Sequence, residues 1–247
     1  ASTTGSDSQD AGSQSETQQS GTGETDSANA PSEFTEVNEE ENTITYLVQP
    51  KDTFEVELND VEEHWAKDYI EELASRGLLT GYETEEGEKE FRPNQNMTRA
   101  ELIKVAVRAM ELPVPLNVFA LPAEFTDVHP KEWYAGYVYA AKVAGIVAGT
   151  DGKFRPNDQV NRAEALKIIL LAAKANLEDV PAGSNLPFDD VERSAWYRPY
   201  LKYAFYKGVV TGYIEEGKRL FKGASNITRA EVAKMILSQF DFDIEEE

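Results

Sequence analysis

Three times along the chain the same residues return in the same order, and a repeat of that kind constrains a fold more tightly than any single motif. Asp60-Val61, Asp127-Val128 and Asp190-Val191 each precede a tryptophan: Trp65, Trp133 and Trp196. Late in each copy stand Thr98-Arg99-Ala100-Glu101, Asn161-Arg162-Ala163-Glu164 and Thr228-Arg229-Ala230-Glu231, spaced by 63 and then 67 residues. That period is long for a solenoid unit and right for a helix–loop–helix module, so three modules fill residues ~57 to ~242.

Within each copy the fourth, fifth and eighth residues after the tryptophan are apolar: Tyr69, Ile70, Leu73; Tyr137, Val138, Ala141; Tyr200, Leu201, Ala204. This spacing is one face of an α-helix. Gly77, Gly145 and Gly208 follow at the position of a left-handed helix stop, each with an apolar residue behind it (Leu78, Ile146, Val209) to fold back on the last turn. A second glycine (Gly81, Gly149, Gly212) and a phenylalanine (Phe91, Phe154, Phe221) come next, and Asp151-Gly152 in the shortest copy predicts a miniature hairpin or tight loop.

A second helix starts seven residues after each phenylalanine. Thr-x-x-Glu in copies one and three is a capping box, with Asn161 in the same place in copy two, and a cap worth about 1 kcal/mol explains the Thr and Glu without a functional role. Glu101/Lys104, Glu164/Lys167 and Glu231/Lys234 are helical i,i+3 pairs. The arginines are harder to explain. Arg99, Arg162 and Arg229 stand in the first turn, against the positive end of the helix dipole, at a local cost of ~0.3–1 kcal/mol. The missing compensation is either a structural carboxylate, for instance the Asp of a neighbouring Asp-Val, or an anion gripped by guanidinium and helix N–H groups together.

The 247 residues carry a net charge of −21, which disfavours nucleic acid as a partner. That charge is uneven: residues 1–55 hold 12 acids against Lys51 alone, leaving −10 for the modules. Residues 1–33 lack Val, Ile, Leu, Met and aromatics, and such a segment reads as a disordered tether. Ile44–Val48 and Phe54–Leu58 read as two short strands around a turn, so order is expected from about residue 43. The organisation expected is a tether over 1–42, strands and the first repeat over 43–112, the second over 113–177 and the third over 178–247. Zero cysteines exclude disulfides and thiolate metal sites, and no cofactor or metal is expected. No apolar run approaches the ~20 residues of a membrane span. A start at Ala1 without Met predicts a processed chain or a fragment.

Each copy resembles an S-layer homology repeat: Asp-Val, tryptophan, a helix ending in glycine, a Gly-Tyr loop, Phe-Arg-Pro-Asn, then Thr-Arg-Ala-Glu. The resemblance covers about three quarters of the chain. It implies a mainly α fold of three helix–loop–helix repeats in a pseudo-threefold arrangement around a central helical bundle. It implies inter-repeat grooves that bind cell-wall polysaccharide, commonly a pyruvylated secondary polymer linked to peptidoglycan, and an extracellular place at the bacterial cell wall or surface. Carried onto this chain, Arg99, Arg162 and Arg229 would receive a sugar carboxylate, and Asp60, Asp127 and Asp190 would accept sugar hydroxyls. Gly81, Gly149 and Gly212 would permit close backbone approach. Trp65, Trp133 and Trp196 are candidates for stacking on a pyranose, although their spacing to the apolar helix face favours core packing.

Copy two has Ala148-Gly149-Thr150 where the others have Thr-Gly-Tyr, ending in Tyr82 and Tyr213; copy three has Phe221-Lys222-Gly223-Ala224 where the others have Phe-Arg-Pro-Asn. The grooves are therefore expected to differ, with the copy-three loop in the weakest or most altered one. An enzyme is disfavoured: His64 and His129 do not recur in register and read as local caps, adjacent Asp189-Asp190 lack the facing geometry of a glycoside hydrolase, and no nucleophile or metalloprotease motif is present. The other alternative is a protein-interaction or self-assembly module of a surface layer, with other surface-layer proteins as partners. The acidic loop Glu83–Glu88 lacks a Ca²⁺-loop pattern and reads as an exposed hairpin tip.

Overall fold

The computed structural model describes residues 57–118, 124–181 and 183–240, together with two short strands ahead of them. The tether reading of residues 1–33 lies outside the described residues. The fold is mainly helical, with small antiparallel sheets. Strand β1 (Phe34–Thr35) pairs with β2 (Tyr46–Leu47), which pairs in turn with β5 (Val114–Pro115). Most of the second expected strand, residues 54–56, lies outside the described residues. Tyr46–Leu47 pairs with an earlier strand and with the linker after the first repeat, Glu57 and Leu58 lie in no strand, and pairing reaches back beyond residue 43.

Each repeat contributes a short first helix, α1 (Lys67–Ser75), α3 (Ala135–Val143) or α5 (Arg198–Tyr206), and a longer second one, α2 (Arg99–Ala109), α4 (Arg162–Ala172) or α6 (Arg229–Gln239). The first helices end as their glycines predict. Gly77, Gly145 and Gly208 take φ of +63°, +75° and +78°, and the N–H of Leu78 and Ile146 reach back to the carbonyls of Leu73 and Ala141. The connecting segments are hairpins: β3 (Tyr82–Glu83) with β4 (Lys89–Glu90), β6 (Tyr213–Glu215) with β7 (Lys218–Leu220), and in the compressed copy a single Thr150–Lys153 bridge. Residues Glu83–Glu88 are the tip region of the first hairpin.

Packing follows an exchange between repeats. The second helices α2, α4 and α6 touch one another pairwise, and each first helix lies against the second helix of another repeat: α3 on α2, α5 on α4, and α1 on α6. Three main-chain hydrogen bonds close a ring through the centre. Val160 N–H donates to Met97, Met97 N–H to Ile227, and Ile227 N–H to Val160, at 3.0–3.1 Å. Met97, Val160 and Ile227 are fully buried where they meet, as are Phe91, Phe154 and Phe221. Complete burial of one such side chain contributes about 1.5–3 kcal/mol. Among the described residues no helix is long and apolar enough to cross a membrane.

The residue after each phenylalanine carries a left-handed backbone without being glycine: Arg92, Arg155 and Lys222 have φ of +58°, +61° and +57°. The Asp of Asp-Val holds that turn. Both oxygens of Asp60 accept main-chain N–H bonds from Phe91 and Arg92, those of Asp127 from Phe154 and Arg155, and those of Asp190 from Phe221 and Lys222, all at 2.6–2.8 Å. Burial works to raise the pKa of Asp127, but the bonds from Phe154 and Arg155 outweigh it and hold the carboxyl below its usual range.

Asp127→Ala removes two charge-assisted bonds from an unfavourable backbone turn, and a loss of roughly 1–3 kcal/mol is expected in denaturant unfolding. Because the folded-state pKa is depressed, the Asp127 contribution is present above pH ~4 and vanishes as pH falls through the folded value, so the stability difference from the variant should shrink in acid. Removal of everything after Pro181 takes away the helix on which α1 rests and opens the ring, so scanning calorimetry should show no cooperative transition.

Candidate functional site: grooves shared by three repeats

The second helices begin against a neighbouring repeat. The N–H groups of Arg99 and Ala100 donate to the carbonyls of Asp158 and Pro156, those of Arg162 and Ala163 to Ser225 and Gly223, and those of Arg229 and Ala230 to Gln95 and Pro93. The third orphan donor is taken by the capping box at Thr98, Asn161 or Thr228. The first-turn N–H groups are therefore occupied by protein. They are not available to share an anion with the arginine, contrary to the second of the two compensations expected.

The arginines extend the same contact. Arg99 Nε donates to the Phe154 carbonyl at 2.9 Å and Arg229 Nε to the Phe91 carbonyl at 2.8 Å. Arg229 also donates to the Thr80 carbonyl and the Tyr82 hydroxyl. Arg162 Nη1 lies 3.0 Å from both the Tyr213 hydroxyl and Glu231 Oε1. Its buried Nε has no hydrogen-bond partner among the described residues, a departure seen at the copy-three loop. Burial pushes the Arg99 guanidinium down from its usual pKa, with Glu164 acting in the opposite direction. The compensation for a first-turn arginine is thus a glutamate or carbonyl of the next repeat, while the Asp of Asp-Val serves the loop behind it.

The capping glutamates have two tasks, one of which the sequence reading missed. One oxygen of each accepts from the N-cap residue; the other faces the neighbouring arginine's side. Glu101 Oε1 accepts from the Tyr82 hydroxyl at 3.1 Å, Glu231 Oε1 meets Tyr213 and Arg162, and Glu164 Oε1 lies 3.5 Å from Arg155 and 3.8 Å from Arg99. The Tyr213 hydroxyl is pushed up to about 12, by burial first and then by its bond to Glu231, so it stays a donor at neutral pH.

The tryptophans supply a third wall. Trp65, Trp133 and Trp196 are 57%, 51% and 53% exposed, which overturns core packing. They precede their helices, which start at Lys67, Ala135 and Arg198, so helical phase does not apply to them. Each lies by a lysine of another repeat's second helix. Lys104 stands over Trp133 at 5.7 Å and Lys167 over Trp196 at 5.8 Å, and Lys234 lines a groove with Trp65. One groove of about 240 Å³ joins Arg99 of the first repeat, Gly149, Thr150, Glu164 and Lys167 of the second, and Trp196 of the third. Another of about 130 Å³ joins Arg162, then Gly212, Tyr213, Glu231 and Lys234, and finally Trp65. The same residue types recur around Arg229, Tyr82, Glu101, Lys104 and Trp133.

Gly149 and Gly212 line their grooves, but the need for glycine comes from behind. An added Cβ would come within 2.3 Å of Phe125 or 2.4 Å of Phe188, and at Gly81 within 2.9 Å of Leu58. His64 Nδ1 accepts from the Ala66 N–H and His129 Nδ1 from the Lys131 N–H, which are local caps.

The S-layer homology domain family model matches residues 57–103, 124–166 and 187–233. An amylopullulanase of Thermoanaerobacterium thermosulfurigenes is 33% identical over 72% of the chain, and an exoglucanase of Acetivibrio thermocellus 31% identical over 73%. An S-layer protein of Bacillus thuringiensis subsp. finitimus is 26% identical over 70% of the chain. The chain spans only 9%, 16% and 20% of these relatives' own lengths. Three matches in register with three structural repeats fix the assignment: the chain belongs to the S-layer homology domain family, with three tandem copies of the domain.

Proposed function

We propose that the chain is a non-catalytic anchoring module at the bacterial cell surface, and that its grooves hold a secondary cell-wall polysaccharide bearing carboxylate groups, such as a pyruvylated polymer linked to peptidoglycan. The observation that carries this reading is the shared composition of the grooves: an arginine, a lysine and a half-exposed tryptophan converge from three different repeats. A guanidinium pairs with a carboxylate, an indole covers a pyranose face, and a lysine beside the indole reaches ring oxygens or the same carboxylate. In this reading Arg99, Arg162, Arg229, Trp65, Trp133 and Trp196 touch the polymer. Gly81, Gly149 and Gly212 keep the loop close beside it. Asp60, Asp127 and Asp190 act chiefly by positioning the loop, since both oxygens of each already accept main-chain bonds. The pairwise contact of the second helices and the ring of main-chain bonds support a pseudo-threefold arrangement, and with it three grooves at equivalent positions.

The anchoring role accords with relatives that carry very different names, among them an amylopullulanase and an S-layer protein, yet match this chain through the repeats. The polymer is the expected partner, and other surface-layer proteins are secondary ones.

Sedimentation with purified peptidoglycan sacculi is the direct test. Binding is expected to intact sacculi and to be lost after chemical removal of the secondary polymer; retention on stripped sacculi would favour a protein or bare-peptidoglycan partner. The net charge of −21 repels an anionic wall at long range, and salt screens this repulsion along with the arginine contacts. Sedimentation should therefore survive moderate salt.

A further inference from the structure

Two of the three arginine sites are filled by a residue of the chain itself. At the copy-three loop, Tyr213 lies between the arginine and the capping glutamate: its hydroxyl donates to Glu231 and accepts from Arg162, whose guanidinium carbon stands 5.0 Å from the ring centre. Lys222 covers the same ring at 4.9 Å and is held by Glu215. At the copy-one loop the pattern repeats. Tyr82 donates to Glu101 and accepts from Arg229, and Arg229 and Arg92 stand 4.8 and 4.5 Å from the centre of its ring.

At the copy-two loop the corresponding residue is Thr150, which is too short to span that gap. The groove there measures about 240 Å³ against about 130 Å³ at Tyr213. Among the described residues Arg155 has no aromatic ring beside it and lies 3.5 Å from Glu164 and 3.8 Å from Asp158, and Arg99 Nη1 comes no nearer than 3.8 Å to Glu164, beyond hydrogen-bond reach. Two guanidinium groups and Lys167 thus line one groove with Glu164 between them, and Asp158 stands beside Arg155 outside the lining.

We propose that Thr150 is the specificity-determining residue of the chain. It leaves the groove formed by Arg99, Arg155, Glu164, Lys167 and Trp196 open as the preferential seat for a carboxylate-bearing sugar, while Tyr82 and Tyr213 hold the other two partly closed by linking arginine to glutamate. This rests on the anchoring function proposed above and assigns that function unequally among the grooves. A sugar carboxylate entering beside Arg99 meets cations already in place; one entering beside Arg162 must first displace a tyrosine from its bonds.

The three tryptophans provide one reporter for each groove, through their indole N–H signals in a ¹H–¹⁵N spectrum. The probe is a methyl hexopyranoside carrying a pyruvate ketal, titrated beside the same hexoside without pyruvate. The Trp196 signal should shift at concentrations about tenfold lower than those of Trp65 and Trp133, and only with the pyruvylated probe. Thr150→Tyr should weaken the Trp196 response by about tenfold. Tyr213→Thr should strengthen the Trp65 response, which a variant that merely unfolds would not do. Equal titration of the three indoles, or an unchanged Trp196 response in Thr150→Tyr, would overturn the groove assignment while leaving wall binding intact. Failure of the wild-type chain to sediment with polymer-bearing sacculi would instead remove the function on which it rests.

Discussion

The structure depends on helix ends that cannot satisfy themselves. An α-helix leaves its first N–H groups without partners, and here the partners for two of them in each second helix are carbonyls of another repeat's Phe-x-Pro or Phe-x-Gly loop. No repeat can meet that need alone, and the third repeat meets it by turning back to the first, through Arg229 and Ala230 on Gln95 and Pro93. Closure of the cycle also buries Met97, Val160 and Ile227 against one another. Main-chain pairing and apolar burial therefore require the same three-repeat arrangement.

The arginines follow from this closure. A guanidinium in the first turn is unfavourable for its own helix, but the next loop's carbonyl and capping glutamate stand beside it. The Asp of Asp-Val stabilises the left-handed turn that aims that carbonyl. One hydrogen-bond chain thus runs from Asp127 through the Phe154 segment to Arg99, and likewise from Asp60 to Arg229. At the copy-three loop the chain is interrupted at Arg162 Nε, next to the one loop that replaces Pro-Asn with Gly223-Ala224.

Much of the fold was legible because it is local. Gly77, Gly145 and Gly208 announce helix stops, Thr-x-x-Glu announces a capping box, and Asp151-Gly152 announces a turn, each through the conformational limits of a few adjacent residues. The site was less legible. Trp65, Trp133 and Trp196 stand before the helices, where helical phase carries no information, and what they face belongs to another repeat. The glutamates were fully accounted for by capping, so nothing in the sequence disclosed the second oxygen directed at a neighbouring arginine or tyrosine. The strand pairing of Tyr46–Leu47 with Val114–Pro115 spans the whole first repeat, a separation over which local pattern carries no information.

The sequence by itself determined the three repeats, the ends of their helices, the turns between them and the residue types gathered at each capped helix start. It did so because capping, turn chemistry and apolar periodicity act over fewer than about ten residues. Only the tertiary structure decided which arginine meets which loop, which tryptophan closes which groove, and that Tyr82 and Tyr213 bridge a gap Thr150 leaves open. Those outcomes depend on the order in which repeats close on one another, and that order is set by burial and by hydrogen bonds between residues that lie far apart in the chain.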